Sequence, residues 1–286
     1  PTTTPTTGSL YPPAPYDCAE GVPAGPPAAR VVEGVLSTED FAFDVDGWLV
    51  AADFSQNLVN WAPDGTPAVF SPGAGETRGV DVLPDRDLVC SNPDLGRLFR
   101  VERATGAVSE LVDLSMPSAS GIDVAKDGTI VVNELNGFAA MVDPAGGVHP
   151  FARLPSQGYG AAFSVDETRA YLSSYGDRIY TTDRQPDGSW SEPAIWVDHL
   201  ATSTLSGLVV DACDNLYAIS SYTCQLWRIT PDGEAERLTS IDVGPSGACP
   251  SLAFGRGLGG WDAYKLYVST YGEVVELDVG VPGRPR

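Results

Sequence analysis

Apolar residues in this chain fall in short runs broken by Asp, Gly, Pro or Ser turns, and the runs recur as one unit. Each unit opens on a small or polar residue, usually Gly, continues with a β-rich run, turns on Asp/Gly and returns with a second run. The first reads Glu39-Asp40-Phe41-Ala42-Phe43-Asp44-Val45-Asp46-Gly47-Trp48-Leu49-Val50. The third reads Ser120-Gly121-Ile122-Asp123-Val124, then Asp127-Gly128-Thr129-Ile130-Val131-Val132. The opening positions Asp40, Gly79, Gly121, Gly160, Gly207 and Ser251 lie 39, 42, 39, 47 and 44 residues apart. Third runs follow in register, as in Gly96-Arg97-Leu98-Phe99-Arg100-Val101 and Gln225-Leu226-Trp227-Arg228-Ile229. Turns such as Pro63-Asp64-Gly65 and Pro231-Asp232-Gly233 then lead to a fourth. A period of 40–47 residues with four short strands per unit predicts a β-propeller, one unit per blade. No stretch sustains a 3.6-residue apolar period, so helix is expected to be almost absent.

Six units are present, and the last stops after its third strand, near Asp278. The run Ala29-Arg30-Val31-Val32-Glu33-Gly34-Val35 resembles the outer strands of the other blades. It is expected to complete blade six and close the ring, which protects backbone groups that would otherwise form an open sheet edge. The predicted organisation is a Pro/Thr-rich spacer and arm over 1–28, an all-β six-bladed propeller of four-stranded antiparallel blades over 29–280, and a tail over 281–286.

With each inner strand running from the upper face to the lower, the cysteines sort by loop. Cys224 and Cys249 share the upper face in adjacent blades, and Cys18 and Cys213 share the lower one. The expected disulfides are therefore Cys224–Cys249 and Cys18–Cys213. Cys90 falls inside a strand and reads as a buried free thiol packed as a small hydrophobe.

The net charge of −21 excludes electrostatic nucleic-acid binding and polybasic membrane association, which need clustered cations. No apolar run approaches the roughly 18–20 residues of a membrane-spanning helix. There is no CxxC, no GxSxG nucleophile elbow and no phosphate loop. Of the two histidines, His149 follows an outer-strand turn and His199 lies near the upper face; both are read as solvent-exposed. Asp44 and Asp46 occupy a tight turn and terminate strands. The Pro/Thr tract opening a chain without Met, together with the disulfides, leads to an extracytoplasmic location as the expectation.

These residues resemble the regucalcin/gluconolactonase and strictosidine-synthase-like six-bladed propellers over most of 29–280. Glu39-Asp40-Phe41-Ala42-Phe43-Asp44 with Gly47 is similar to their first-blade motif, Leu95-Gly96-Arg97-Leu98-Phe99-Arg100-Val101 to their second, and Ala253-Phe254-Gly255 with Lys265-Leu266-Tyr267-Val268 to their last. The resemblance implies a divalent cation at the top of the channel, held by a first-blade Glu and by Asn or Asp from other blades, which polarises a lactone carbonyl and activates water. The corresponding ring here is Glu39, Arg78, Ser120, Tyr159, Ser206 and Pro250, in which only Glu39 matches. Arg78 is expected to pair with Glu39 and fill the ion's space. No cofactor is favoured, and calcium stays open through Glu39 with Asp40. The last-blade Glu of strictosidine-synthase-type chemistry is replaced by Pro250-Ser251.

Three successive blades carry a Tyr where the second strand ends, Tyr175, Tyr222 and Tyr271, with Phe54 at the same place in blade one. Asn92, Asn133 and Asn136 fall in the same region of blades two and three. Aromatic rings with amides and hydroxyls suit a sugar, an aromatic metabolite or a partner loop. The expected ligand set is Phe54, Asn92, Asn133, Tyr175, Ser206, Tyr222 and Tyr271; packing of the tyrosines between blades is the alternative. The leading expectation is an exported propeller that binds a small molecule, protein or glycan on its upper face without chemistry. The alternative is a metal-dependent lactonase or esterase built on Glu39, Asp40, Arg78 and Tyr159. A structural subunit whose N-terminal arm docks on a neighbouring ring is the third reading.

Overall fold

A computed structural model describes residues 16–20, 23, 25–35, 39–53, 55–151, 153–200, 204–243 and 247–285. Residues 1–15, 21, 22 and 24 of the 1–28 arm, whose docking on a neighbouring ring was the third reading, and Phe54 lie outside the described residues.

The strands form six sheets of four, each in simple antiparallel order. Blade one comprises Phe41–Phe43, Leu49–Ala52, Leu58–Trp61 and Pro67–Ser71, and blades two to five repeat that order along the chain. Blade six takes Leu252–Phe254, Lys265–Ser269 and Val274–Asp278 from the end of the chain and Ala29–Val32 from its start. That outer strand pairs antiparallel with the chain's last strand, Arg30 opposite Glu276 and Val31 opposite Val275, so the ring closes as the sequence predicts. The only helix among the described residues is the 3-10 turn Cys18–Glu20, and no helix is long and apolar enough to cross a membrane.

The core lies between blades. Ala42, Val50 and Leu58 of blade one pack on Val80, Leu88 and Cys90 of blade two, and Phe41, Phe43 and Leu49 pack on Trp261, Tyr267 and Val274 of blade six. Each such aliphatic side chain contributes about 1.5–3 kcal/mol when removed from water. Inner strands are therefore buried on both faces, whereas outer strands such as Pro67–Ser71 are exposed over most of their length.

Close to the axis, where the inner strands converge, polar stitches replace apolar packing. Ser91 Oγ donates to Ser120 O at 2.6 Å and accepts from Gly79 N at 2.7 Å, joining blade two to three. Ser173 does the same between blades four and five, with Ser206 O at 2.8 Å and Gly160 N at 2.7 Å. Asp81 accepts from Val124 N, and Asp123 from Phe163 N, one blade further on. Serine in second strands and Asp in inner strands satisfy backbone groups of the next blade that no ladder reaches.

Both expected disulfides are present, Cys18–Cys213 and Cys224–Cys249, and Cys90 is free and buried. Burial, helped by the nearby Asp40 charge, pushes the Cys90 thiol up to about 12, so it remains protonated.

The segment after the last strand crosses under the ring. Gly283 bridges Asp211, Ala212 N donates to Pro282 O, and Arg284 N donates to Val210 O at 2.8 Å. Arg284 then rises into the channel, where its guanidinium meets both oxygens of Asp123 at 3.0 Å and Glu167 at 3.5 Å. The sequence carries no signal that this tail stoppers the lower mouth.

Candidate site at the channel mouth

The axial channel holds a cavity of about 120 Å³, large enough for several waters. Its upper wall includes Asp40, Arg78, Tyr159 and Ser251, and its floor is formed by Pro282, Gly283 and Arg284.

Glu39 stands at the mouth between two phenols. Tyr159 donates to Oε2 through a short hydrogen bond, and Tyr271 donates to Oε1 at 2.9 Å. Burial and the Glu39 charge hold the Tyr159 phenol well above its ordinary pKa, and the same causes act on Tyr271. Both therefore stay neutral and act as donors. Among the described residues the expected Glu39–Arg78 pair does not form: Arg78 Nη2 contacts Glu76 at 3.5 Å instead, and its buried Nε meets no hydrogen-bond partner among them. The physical reason is that tyrosine hydroxyls from blades four and six reach Glu39 first and satisfy both its oxygens.

Asp40 lies one residue deeper. Its Oδ1 accepts from Phe41 N at 2.9 Å and from the Ser251 hydroxyl in a short contact, while Oδ2 accepts only a 3.3 Å bond from Val80 N. Desolvation outweighs these bonds and pushes the carboxyl up to about 7. Asp40 is thus the first member of the Asp40, Asp81, Asp123 stitching series and also a channel-facing group that titrates near neutrality. Ser251 escaped the sequence-based candidate list; its place as the opening residue of the last unit was the available signal.

The rim tyrosines divide. Tyr222 is 63% and Tyr271 43% exposed. Tyr175 and Tyr222 share a 2.8 Å bond between hydroxyls, with rings 6.4 Å apart at 83°. Burial and this bond push the Tyr175 phenol up to about 12. Asn92 caps its own turn by accepting from Leu95 N at 2.9 Å. Asn133 is fully buried and donates to Gly160 O and Ser173 O, both at 2.9 Å. Ser206, also fully buried, donates to Cys249 O at 2.8 Å. These three side chains face blade interfaces and turns, so the structure gathers Glu39, Asp40, Arg78, Tyr159 and Tyr271 at the mouth, with Tyr175 and Tyr222 on the rim.

Elsewhere, His149 pairs with Asp143 at 2.9 Å on the outer surface. Asp44 receives Asp46 N and Trp48 N and pairs with Arg103 at 2.6 Å, which is the turn role expected for it. On the upper surface Asp177, Asp198 and His199 bring three ligand-type atoms within 4.8 Å of one another. Asp198 is already paired with Arg178 at 2.8 Å, and His199 with Asp177 at 3.2 Å.

A hard divalent cation prefers six or more oxygens carrying several negative charges. At the mouth, both Glu39 oxygens accept phenol protons, Asp40 Oδ1 accepts two donors, Ser206 is committed to backbone carbonyls, and a guanidinium lines the same wall. The residues present do not fit such an ion.

No protein-family profile and no curated protein sequence matches the chain. Solved structures do. One described as a putative gluconolactonase is similar with a TM-score of 0.73 at 17% identity, covering 97% of this chain and 96% of its own. A gluconolactonase from Xanthomonas campestris gives 0.73 at 19% identity, covering 89% and 90%. A calcium-binding regucalcin from Agrobacterium tumefaciens gives 0.71 at 18% identity, covering 92% and 96%. At these identities the likeness is one of fold, and the fold of this chain is that of the gluconolactonase- and regucalcin-like six-bladed β-propellers.

Proposed function

We propose that this chain is a lactonase- or esterase-type hydrolase whose chemistry sits at the channel mouth, with Asp40 as the base. The observation that carries the reading is Asp40: a carboxyl open to the channel cavity, titrating at about 7, on the same wall as Arg78 and Tyr159. A base poised near the working pH balances its ionised fraction against its proton affinity. Water adds its oxygen to the acyl carbon while Asp40 takes its proton. The bond to the alkoxy oxygen then breaks, and that oxygen recovers the proton to leave as the alcohol. Arg78 supplies a donor where negative charge gathers on the carbonyl oxygen, while Tyr159, its own proton held by Glu39, shapes the same wall. The likeness to a gluconolactonase supports a lactone as substrate, and the two disulfides support an extracytoplasmic setting. Turnover of a panel of lactones and aryl esters by the wild type and Asp40→Asn tests the reading. Hydrolysis that falls at least about 100-fold in the variant is the expected result; no turnover of any member removes it.

A second reading, a propeller that binds without chemistry, is favoured by Glu39, whose oxygens each accept a tyrosine hydroxyl, and by the exposed Tyr222. Ligand-induced quenching of tyrosine fluorescence without turnover is its signature. The regucalcin likeness raises calcium as a partner of either reading, and the donor set argues against it.

A further inference from the structure

We propose that Arg78, not a divalent cation, supplies the positive charge at this mouth, and that the group it receives is the carbonyl oxygen of a neutral ester or lactone. This deepens the hydrolase reading and rests on it. Three observations converge. Among the described residues the Arg78 Nε is buried without a partner, and the ion pair of this guanidinium with Glu76 is 3.5 Å long. A buried guanidinium nitrogen left unmatched is costly, and the accessible Nη2 end, held by a long 3.5 Å contact with Glu76, is the part that meets an acceptor arriving in the channel. The guanidinium lines the same cavity as Asp40 and Tyr159, and its charge is felt by both phenols that hold Glu39. Cation and base therefore border one space.

The third observation concerns the oxygens that a metal would need. They are already taken by Tyr159, Tyr271, Ser251 and backbone N–H groups. A divalent ion entering here would displace those donors and approach a fixed positive charge. Charge also narrows the substrate. The chain carries a net charge of −21, so an anionic substrate is repelled before it reaches Arg78. A neutral carbonyl compound gains the guanidinium without that penalty. The proposal includes no new covalent step: Arg78 donates to the oxygen as it becomes negative and takes no proton from it.

The test has two arms on the full chain. In the first, thermal unfolding is followed with 1 mM calcium, magnesium, manganese or zinc chloride and with 1 mM EDTA. The transition is expected to stay in place; a saturable rise of more than about 3 °C with any of the metals, reversed by EDTA, overturns the proposal. In the second, neutral and carboxylate-bearing lactones are assayed in EDTA with the wild type, Arg78→Lys and Arg78→Gln. Turnover is expected to survive EDTA, to favour neutral substrates, and to fall about 100- to 1,000-fold in kcat for Arg78→Gln with partial retention in Arg78→Lys. An undiminished Arg78→Gln, or activity that needs added metal, overturns it. Absence of turnover with an unmoved transition defeats the hydrolase reading and the carbonyl assignment with it. Activity that requires metal defeats the Arg78 assignment and leaves the hydrolase standing.

Discussion

Replacing Asp40 by Asn gives a pH-dependent change in stability whose sign and size follow from its surroundings. In the unfolded chain the carboxyl ionises at its ordinary 3.8, whereas in the folded channel desolvation holds it protonated until about pH 7. A folded pKa raised above the unfolded one means that the native state binds the extra proton. The contribution to stability is fully present below pH 3.8 and is lost as pH rises through 7. The difference of about 3 units at 1.36 kcal/mol per unit gives about 4 kcal/mol in all, of which roughly 2–3 kcal/mol falls between pH 5 and 8. Asparagine keeps an acceptor for Phe41 N and Ser251 but cannot ionise, and it loses the 3.3 Å bond from Val80 N. That lost bond is a constant offset, so the slope isolates the carboxyl. Urea unfolding of both proteins at pH 5, 6, 7 and 8, disulfides intact, measures it. The stability of the variant relative to wild type should climb by roughly 2–3 kcal/mol across this range. A flat difference would show that Asp40 is ionised throughout, and the neutral-pH base would lose its physical footing.

Arg284→Ala removes a guanidinium that is 4% exposed and leaves Asp123 and Glu167 with one partner fewer in the lower channel. A loss of about 3–5 kcal/mol is expected from urea unfolding at pH 7, with a smaller loss for Arg284→Lys; a change below 1 kcal/mol would mean that the tail does not stopper the ring. Paired Cys→Ala replacements should cost roughly 3–4 kcal/mol at Cys224–Cys249, separated by 25 residues, and about 5 kcal/mol at Cys18–Cys213, separated by 195. Calorimetry of the two double variants checks the order, and the reverse order would contradict the chain-entropy account.

The architecture was legible because a blade is a local object. Its four runs, its Asp/Gly turns and its 39–47-residue spacing are all written within one stretch of sequence. Closure by Ala29–Val32 followed from a last unit one strand short, and both disulfides from which face each loop occupies. The mouth was less legible because its contacts join residues far apart in the chain. Tyr159 and Tyr271 meet Glu39 across 120 and 232 residues, and nothing in either segment marks the phenol as a partner for that carboxylate. Charge alone pointed to Arg78 for Glu39, and reach decided otherwise. Asn133 and Ser206 looked like ligand groups because polar residues near a propeller mouth often are. Here the narrowing of the ring toward its axis leaves backbone groups that only a short polar side chain can satisfy, and these residues do so. Arg284 gave no sign at all, since an arginine near a chain end has the composition of any solvated tail.

Whether Asp40 works in this channel as a neutral-pH carboxyl is read from the pH dependence of kcat/KM for a neutral lactone. The rate is expected to rise with ionisation of one group near pH 7 and to level above it, with both the rate and the inflection lost in Asp40→Asn. A profile without that inflection in the wild type, or one that survives unchanged in the variant, would contradict it.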